Sequence, residues 1–212
     1  FTQAINSLQA RDTSKAFLLT INNHTTHTPF RIPANYKKQW VPKNRTESFA
    51  KALDYFDTQL GRLLKYLEEE ELMQSTVFVL IGDHGMAIEQ KDFELPEFYG
   101  FEKSATIAGV FSANPMLFLE AKIDSTPVSQ VDIGPTILDI AGINAPNHFL
   151  GKSLMQTRVN TPVLFVKNGM LSLHSPSATS YFSLNENVLD QRGDSSKFHT
   201  AAEIDAAKTL IK

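Results

Sequence analysis

An unbroken apolar run, Thr76-Val-Phe-Val-Leu-Ile-Gly82, stops on Asp83 and His84 side by side, with Gly85 after them. A carboxylate oxygen and an imidazole nitrogen on neighbouring residues can reach one cation where the chain turns, and Gly85 permits such a turn. That donor set suits zinc, manganese or a similar divalent ion. The same dipeptide also fits a plain turn, with Asp83 as its cap and His84 packed against it, because short motifs carry real false positives. A second candidate lies upstream in "HTTHTPF", residues 24–30. His27 is followed by Pro29 and Phe30, which can anchor its backbone. A histidine held still can donate a hydrogen bond to an anionic oxygen or protonate a leaving group. His24 reads as part of a solvated loop. His148, His174 and His199 lack metal-type spacing and read as structural or surface residues. Asp132 reads as a helix cap or turn residue, and Glu68 to Glu71 as a solvated helix end.

These side chains need elements to position them. Residues 1–10 read as a short helix with Phe1, Ile5 and Leu8 on its apolar face. Ala16-Phe-Leu-Leu-Thr-Ile21 and the run from Thr76 lack polar alternation, which predicts strands buried on both faces, as in a parallel sheet. Between them, Asn44-Arg-Thr-Glu47 has capping-box spacing. It opens a helix carrying Phe49, Leu53, Phe56, Leu60, Leu63, Leu64 and Leu67 on one stripe. Strand, long helix and strand make a right-handed βαβ unit. Both strand ends then open on the same sheet edge, where His27 and the Asp83–His84 pair can share one cleft. Residues 86–113 read as loop. Pro115 to Leu119 reads as a strand, and Pro135 starts a short helix ending at Gly142. Pro162–Val166 and Met170–Leu173 flank Asn168-Gly169, a strong hairpin signal. Ser180–Leu184 adds a third antiparallel strand. Residues 200–211 close the chain as a helix with Ile204, Leu210 and Ile211 inward.

Composition excludes several classes. The 212 residues are 42% apolar and 20% charged, with a net charge of −3, which suits a globular fold and not a disordered chain. No basic stripe points to nucleic acid or a membrane surface. No apolar run approaches the roughly 18 residues of a transmembrane helix. Cysteine is absent, which rules out disulfides, thiolate metal sites and a cysteine nucleophile within these residues.

Four segments together resemble the alkaline phosphatase superfamily, in its sulfatase and lipoteichoic acid synthase-like branch. They are "AFLLTINNHTTHTPFRIPANY", "ALDYFDTQLGRLLKYLEEEELMQSTVFVLIGDHG", "SQVDIGPTILDIAGI" and "FLGKSL", covering residues 1 to about 155. The resemblance implies an α/β fold, a mostly parallel sheet sandwiched by helices, with a small C-terminal antiparallel sheet and closing helix. It divides the chain into the C-terminal half of a catalytic domain, residues 1–155, and a small subdomain, residues 156–212. It implies Asp83 and His84 as metal ligands and His27 as the substrate-contacting, catalytic histidine. The implied cofactor is a divalent metal ion, manganese first, with magnesium, zinc or calcium as alternatives.

The activity implied is phosphoryl-group transfer of the phosphoglycerol transferase type, on a phosphoglycerol lipid or another anionic ester. Sulfate-ester hydrolysis is the alternative, and a non-catalytic glycan- or protein-binding module of the same fold is a third. The full-length protein is expected to be anchored in a membrane upstream of this chain and to act outside the cytoplasm, without nucleic acid. The family's nucleophile and first acidic ligand precede the segments matched here, so this chain alone is expected to bind metal weakly and turn nothing over. Asn114 stands where some branches place a further histidine, which puts a second metal site in doubt.

Overall fold

The computed structural model describes residues 1–85, 108–112, 123–156, 162–167, 170–185 and 188–210. They fall into two compact units, the first holding residues 1–85 and 108–112 and the second those from 123 onward. The fold is α/β.

In the first unit, helix α1 (Thr2–Gln9) precedes a long stretch without helix or strand. Helix α2 (Arg45–Glu69) follows. Asn44 caps it, its side chain accepting from the Glu47 amide at 2.8 Å. The Glu47 carboxylate in turn accepts from the Lys43 amide at 2.8 Å, one residue before the position a standard capping box would use. A 3₁₀ turn (Met73–Ser75) leads into β1 (Val77–Ile81), which pairs antiparallel with β2 (Ala108–Ser112), Val79 opposite Val110. The core gathers Leu8, Leu63 and Leu67, with Phe1, Ile5, Leu19 and Phe78 packed against them.

Three expectations are corrected here. Ala16 to Ile21 joins no strand ladder. Leu19 packs inward, while Leu18 is 79% exposed. A strand exists through its paired backbone, and no described segment offers this one a partner edge. β1 is not buried on both faces either. Phe78 is covered by the helices, but Leu80 and Ile81 are exposed, because the helical layer covers only the start of the strand. The strand pairs among the described residues are antiparallel, and β2 lies in a stretch read as loop. The strand expected at residues 115–119, Asn114 and the Asn168-Gly169 turn lie outside the described residues. On α2, Leu63 and Leu67 are buried as the stripe requires, whereas Leu53 is exposed.

In the second unit, a 3₁₀ turn (Gln130–Asp132) runs into helix α3 (Ile133–Ile140). Asp132 is buried and ties three segments together. Its carboxylate accepts from the Ser129 amide at 2.9 Å and the Lys152 amide at 2.9 Å. Its carbonyl accepts from the Thr136 hydroxyl, which itself accepts from the Leu154 amide at 2.9 Å. Ser153 donates to the Asp139 carboxylate. Gly151 runs so close that a Cβ there would sit 2.1 Å from the Val131 carbonyl oxygen.

The small antiparallel sheet is β3 (Val163–Lys167), β4 (Met170–His174), β5 (Ala178–Ser183) and β6 (Val188–Gly193), in chain order. Helix α4 (Ala201–Thr209) packs Ile204 and Ala207 on Leu171, Leu173 and Phe182. The hairpin, the third strand and the closing helix are where the sequence puts them; β6 is additional. Leu210 is 82% exposed, not inward, because α4 ends at Thr209 and Leu210 turns off its apolar face. His199 is buried before α4. Its Nδ1 meets the Ser180 hydroxyl at 2.8 Å, and Gln191 donates to both Ser180 and the His199 carbonyl.

Two outcomes follow. Asp132→Ala leaves the part-buried Ser129 and Lys152 amides without their acceptor and should lower stability by about 1–3 kcal/mol, with Gly151→Ala comparable by steric clash. Urea unfolding monitored by circular dichroism measures both. Burial, outweighing a weaker upward pull from Glu203, holds the His199 imidazole below its ordinary value of 6.5. Below pH 6.5 the unfolded chain therefore takes up a proton that the folded state resists. This contribution to stability is complete above that pH and declines as the pH falls beneath it. His199→Gln should flatten the pH dependence of the unfolding midpoint between about pH 7.5 and 5, the histidine range.

Candidate active site

The His27 loop is assembled from local hydrogen bonds and then strapped to α2. Asn23 accepts from the Thr25 amide at 3.3 Å and hydroxyl at 2.7 Å, the usual way an Asx side chain starts a turn. The His27 amide donates to the His24 carbonyl at 3.1 Å, and the Phe30 amide to the His27 carbonyl at 2.7 Å. Phe30 is buried with φ at +60°, a conformation that costs a bulky residue energy and persists only under packing. The packing is an edge-on contact with Phe49 of α2, ring centroids 5.8 Å apart, with the Arg45 guanidinium 6.0 Å from the Phe30 ring centre. The anchoring expected of Phe30 is thus a buried aromatic contact.

Further along, the loop is held by a polar row on the same helix. Tyr36 donates its hydroxyl to the Asp54 carboxylate at 2.5 Å, and Lys37 reaches the other oxygen at 2.7 Å. Tyr36 also meets Thr58 at 2.8 Å. Lys51, buried, donates to the Trp40 carbonyl at 2.7 Å. Glu47, Lys51, Asp54 and Thr58 recur at helical spacing, so one face of α2 carries this polar row. The Lys37 ammonium, and then the Tyr36 hydroxyl, hold the Asp54 carboxyl below the usual carboxylate range. Sequence reading followed the apolar stripe and missed this one. The signal was present as charged and hydroxyl residues at the same period, opposite a loop rich in donors.

The His27 ring is exposed, and its Nδ1 lies 2.7 Å from the Thr28 carbonyl. A carbonyl oxygen can only accept, so Nδ1 carries the proton and Nε2 is the acceptor of the neutral ring. His24, Thr25, His27, Thr28, Pro29 and Arg31 line an open groove of about 460 Å³ beside it.

Asp83 and His84 follow β1 directly. The Asp83 carboxylate accepts from the His84 amide at 2.9 Å, which folds the pair onto itself. His84 Nδ1 lies 2.9 Å from the Gly85 carbonyl, so here too Nδ1 holds the proton and Nε2 presents a lone pair. That lone pair faces Asp83 Oδ2 across 3.6 Å. Metal-binding histidines typically donate their second ring nitrogen to a carbonyl in this way. The separation is less than two ordinary ligand bonds of about 2.1 Å each, so both atoms can reach one divalent ion. The donor set fits a divalent cation.

Both side chains are solvent-facing, Asp83 at 89% and His84 at 61% exposure. Among the described residues, no group of three histidine, aspartate or glutamate side chains is placed to hold a metal. The structure therefore joins Asp83 to His84, whereas His27 forms its ring contact within its own loop.

These features stand beside what the chain resembles. A solved protein of the alkaline phosphatase superfamily from Vibrio parahaemolyticus superposes with a TM-score of 0.65 at 16% identity, covering 87% of this chain and 44% of its own. A Bacteroides thetaiotaomicron protein, described with the metabolism of multiple glycosaminoglycans, gives 0.68 at 15% identity, covering 98% and 52%. The fold is that of the alkaline phosphatase superfamily.

The Sulfatase family model matches residues 1–143, and the chain belongs to that family. Arylsulfatase K of Rattus norvegicus is 37% identical over 106 residues, 50% of this chain and 18% of the relative. Lipoteichoic acid synthase 1 of Bacillus subtilis is 25% identical over 175 residues, 80% of this chain and 27% of the relative. The chain thus spans about a fifth to a quarter of the curated relatives' length.

If the α2 strap sets the His27 loop, Asp54→Asn should loosen it while leaving α2 helical. Limited trypsin digestion should then cut faster at Arg31, Lys37 or Lys38, with the far-ultraviolet circular dichroism unchanged. Unaltered cleavage would show that Tyr36 and Lys37 do not restrain the loop.

Proposed function

We propose that this chain supplies part of the active site of a metal-dependent sulfuric-ester hydrolase. The observation carrying the reading is the Asp83–His84 pair, whose imidazole is fixed by Gly85 with Nε2 turned to the carboxylate. In that role Asp83 and His84 hold a divalent cation, manganese before magnesium, zinc or calcium. When bound, the ion supplies charge neutralisation for the anionic ester and favours a deprotonated nucleophile. His27 keeps Nδ1–H on Thr28, which leaves Nε2 to act on substrate. Protonated there, it donates to an ester oxygen and transfers the proton to the bridging oxygen as the leaving alcohol departs. The nucleophile and the remaining ligands come from elsewhere in the full-length protein. Family membership and the arylsulfatase K likeness support sulfate as the transferred group.

A second reading is phosphoglycerol transfer from a membrane lipid, which the likeness to lipoteichoic acid synthase 1 over most of the chain favours. That reading adds a membrane anchor elsewhere in the protein. No described helix here is long and apolar enough to cross a membrane. Either reading puts the active domain outside the cytoplasm. The upstream nucleophile separates them, a Thr indicating phosphoryl transfer and a Cys or Ser in a sulfatase-type motif indicating sulfate esters.

In the full-length protein, Asp83→Ala and His84→Ala should abolish both bound metal, by elemental analysis, and turnover of a sulfate monoester, with the fold preserved. His27→Ala should lower turnover by about 10²–10⁴-fold, the range of a lost acid–base group, and spare metal content. Wild-type turnover in the His84 variant would remove the assignment. Turnover of a phosphoglycerol lipid and none of a sulfate monoester would select the second reading.

A further inference from the structure

His199 immediately precedes Thr200, the cap of α4, and its buried ring is faced from three elements. On β5 the Ser180 hydroxyl meets Nδ1 at 2.8 Å. On β6 Gln191 donates to that hydroxyl at 2.9 Å and to the His199 carbonyl at 3.2 Å. Asp190 and Arg192, the charged residues on either side of Gln191, alternate to the other face of the sheet and pair with each other at 3.2 Å. On α4, Glu203 is the charged group that acts on the ring. Its carboxylate is already committed to the capping box, accepting from the Thr200 amide at 2.7 Å and hydroxyl at 2.9 Å. Nε2 is left buried and, among the described residues, without a hydrogen-bond partner.

A neutral imidazole tolerates this in either tautomer, with one ring nitrogen on Ser180 and the other idle. An imidazolium does not. It carries a proton on both nitrogens, and the second would be a buried charged donor with no acceptor. Two exits are open to it. Glu203 can leave Thr200 to meet the ring, or the ring can swing to water and draw Thr200 with it. Either exit undoes the cap. With nine residues, α4 is too short to hold as a helix unaided, and it rests on the sheet through Ile204 and Ala207. We propose that His199 and the α4 cap form an acid-operated latch, in which protonation of His199 releases α4 from β4 and β5 while the sheet stays folded. Such a release is local, unlike a loss of overall stability, and it owes nothing to the chemistry of Asp83 and His84.

The opened ring takes up a proton at its ordinary value of 6.5, which the closed state resists. Opening should therefore be insensitive to pH above that value and grow towards about tenfold for each unit below it. The test is hydrogen–deuterium exchange with mass spectrometry on the full-length protein, corrected for the intrinsic pH dependence of exchange. From about pH 7.5 to 5.5, protection of residues 203–209 should fall about tenfold, with residues 171–173 and 180–182 unchanged. His199→Gln should make α4 protection independent of pH. Glu203→Gln, which keeps an oxygen for the cap, should retain the response, because the ring is the sensor. Equal loss of protection in α4 and the sheet would mean global unfolding and overturns the latch. So does α4 protection that ignores pH, or a response that persists in His199→Gln. A response lost in Glu203→Gln would assign the proton to the carboxylate and overturn it too. Should His199→Gln fail to fold, the wild-type contrast between α4 and β4–β5 decides alone.

Discussion

At the end of β1 a carboxylate oxygen and an imidazole lone pair face each other across 3.6 Å. In the neutral ring both are acceptors, because Nδ1 then keeps the ring proton against the Gly85 carbonyl. Two acceptors facing each other are favourable only with a positive charge between or beside them, whether a proton or a cation. Water screens part of the cost at so exposed a position. The rotamer is nonetheless held from two sides, by Gly85 on the ring and by the His84 amide on Asp83. A pair serving only as a turn cap would use the amide bond and leave the ring unconstrained. Fixing of both partners is what the functional reading depends on.

Helix α2 gives this pair its setting. Its C-terminal half buries Leu63 and Leu67 in the cluster that receives Phe78 at the start of β1. Its N-terminal half, from Asn44 to Thr58, holds the His27 loop through Phe49, Lys51 and Asp54. At about 1.5 Å per residue, such a helix is a rigid rod of some 37 Å, carrying the strand on one stretch and the histidine loop on another. The loop needs this support because its own backbone bonds are few and Phe30 sits in a costly conformation. Removing the strap would leave His27 in place chemically and unplaced geometrically.

Much of this was legible in the sequence because it rests on local rules. Asn44 before a 3.6-residue apolar stripe marks a helix start, and Asn168-Gly169 between two apolar runs marks a hairpin; α2 and the β3–β4 pair stand where those signals put them. The Asp83–His84 pair was legible because a strand ends there. What periodicity could not supply was partnership. Ala16 to Ile21 has a strand's composition, yet among the described residues it finds no partner edge and stays outside any ladder. Apolar content likewise predicted two-sided burial for β1, but burial is set by which layer covers which residue, and Leu80 and Ile81 extend past theirs. The polar row on α2 escaped notice for the same reason, since its meaning depends on a loop reached only in three dimensions.

The second unit shows why a family motif need not be a chemical one. "SQVDIGPTILDIAGI" and "FLGKSL" look like separate signatures with an acid in the first. In the structure they form one device, with Asp132 on the Lys152 amide, Thr136 on the Leu154 amide and Asp139 on Ser153. Asp132 is buried, its carboxylate oxygens each accept a backbone amide, and Gly151 lies where no side chain fits. A carboxylate so occupied has little capacity left for a metal or a substrate. Asp83 differs in being exposed, with one oxygen on the His84 amide and the other 3.6 Å from the His84 ring. The same residue type therefore closes a buried turn in one motif and stands exposed beside an imidazole in the other, and it is the exposed position on which the proposed ligand role is built.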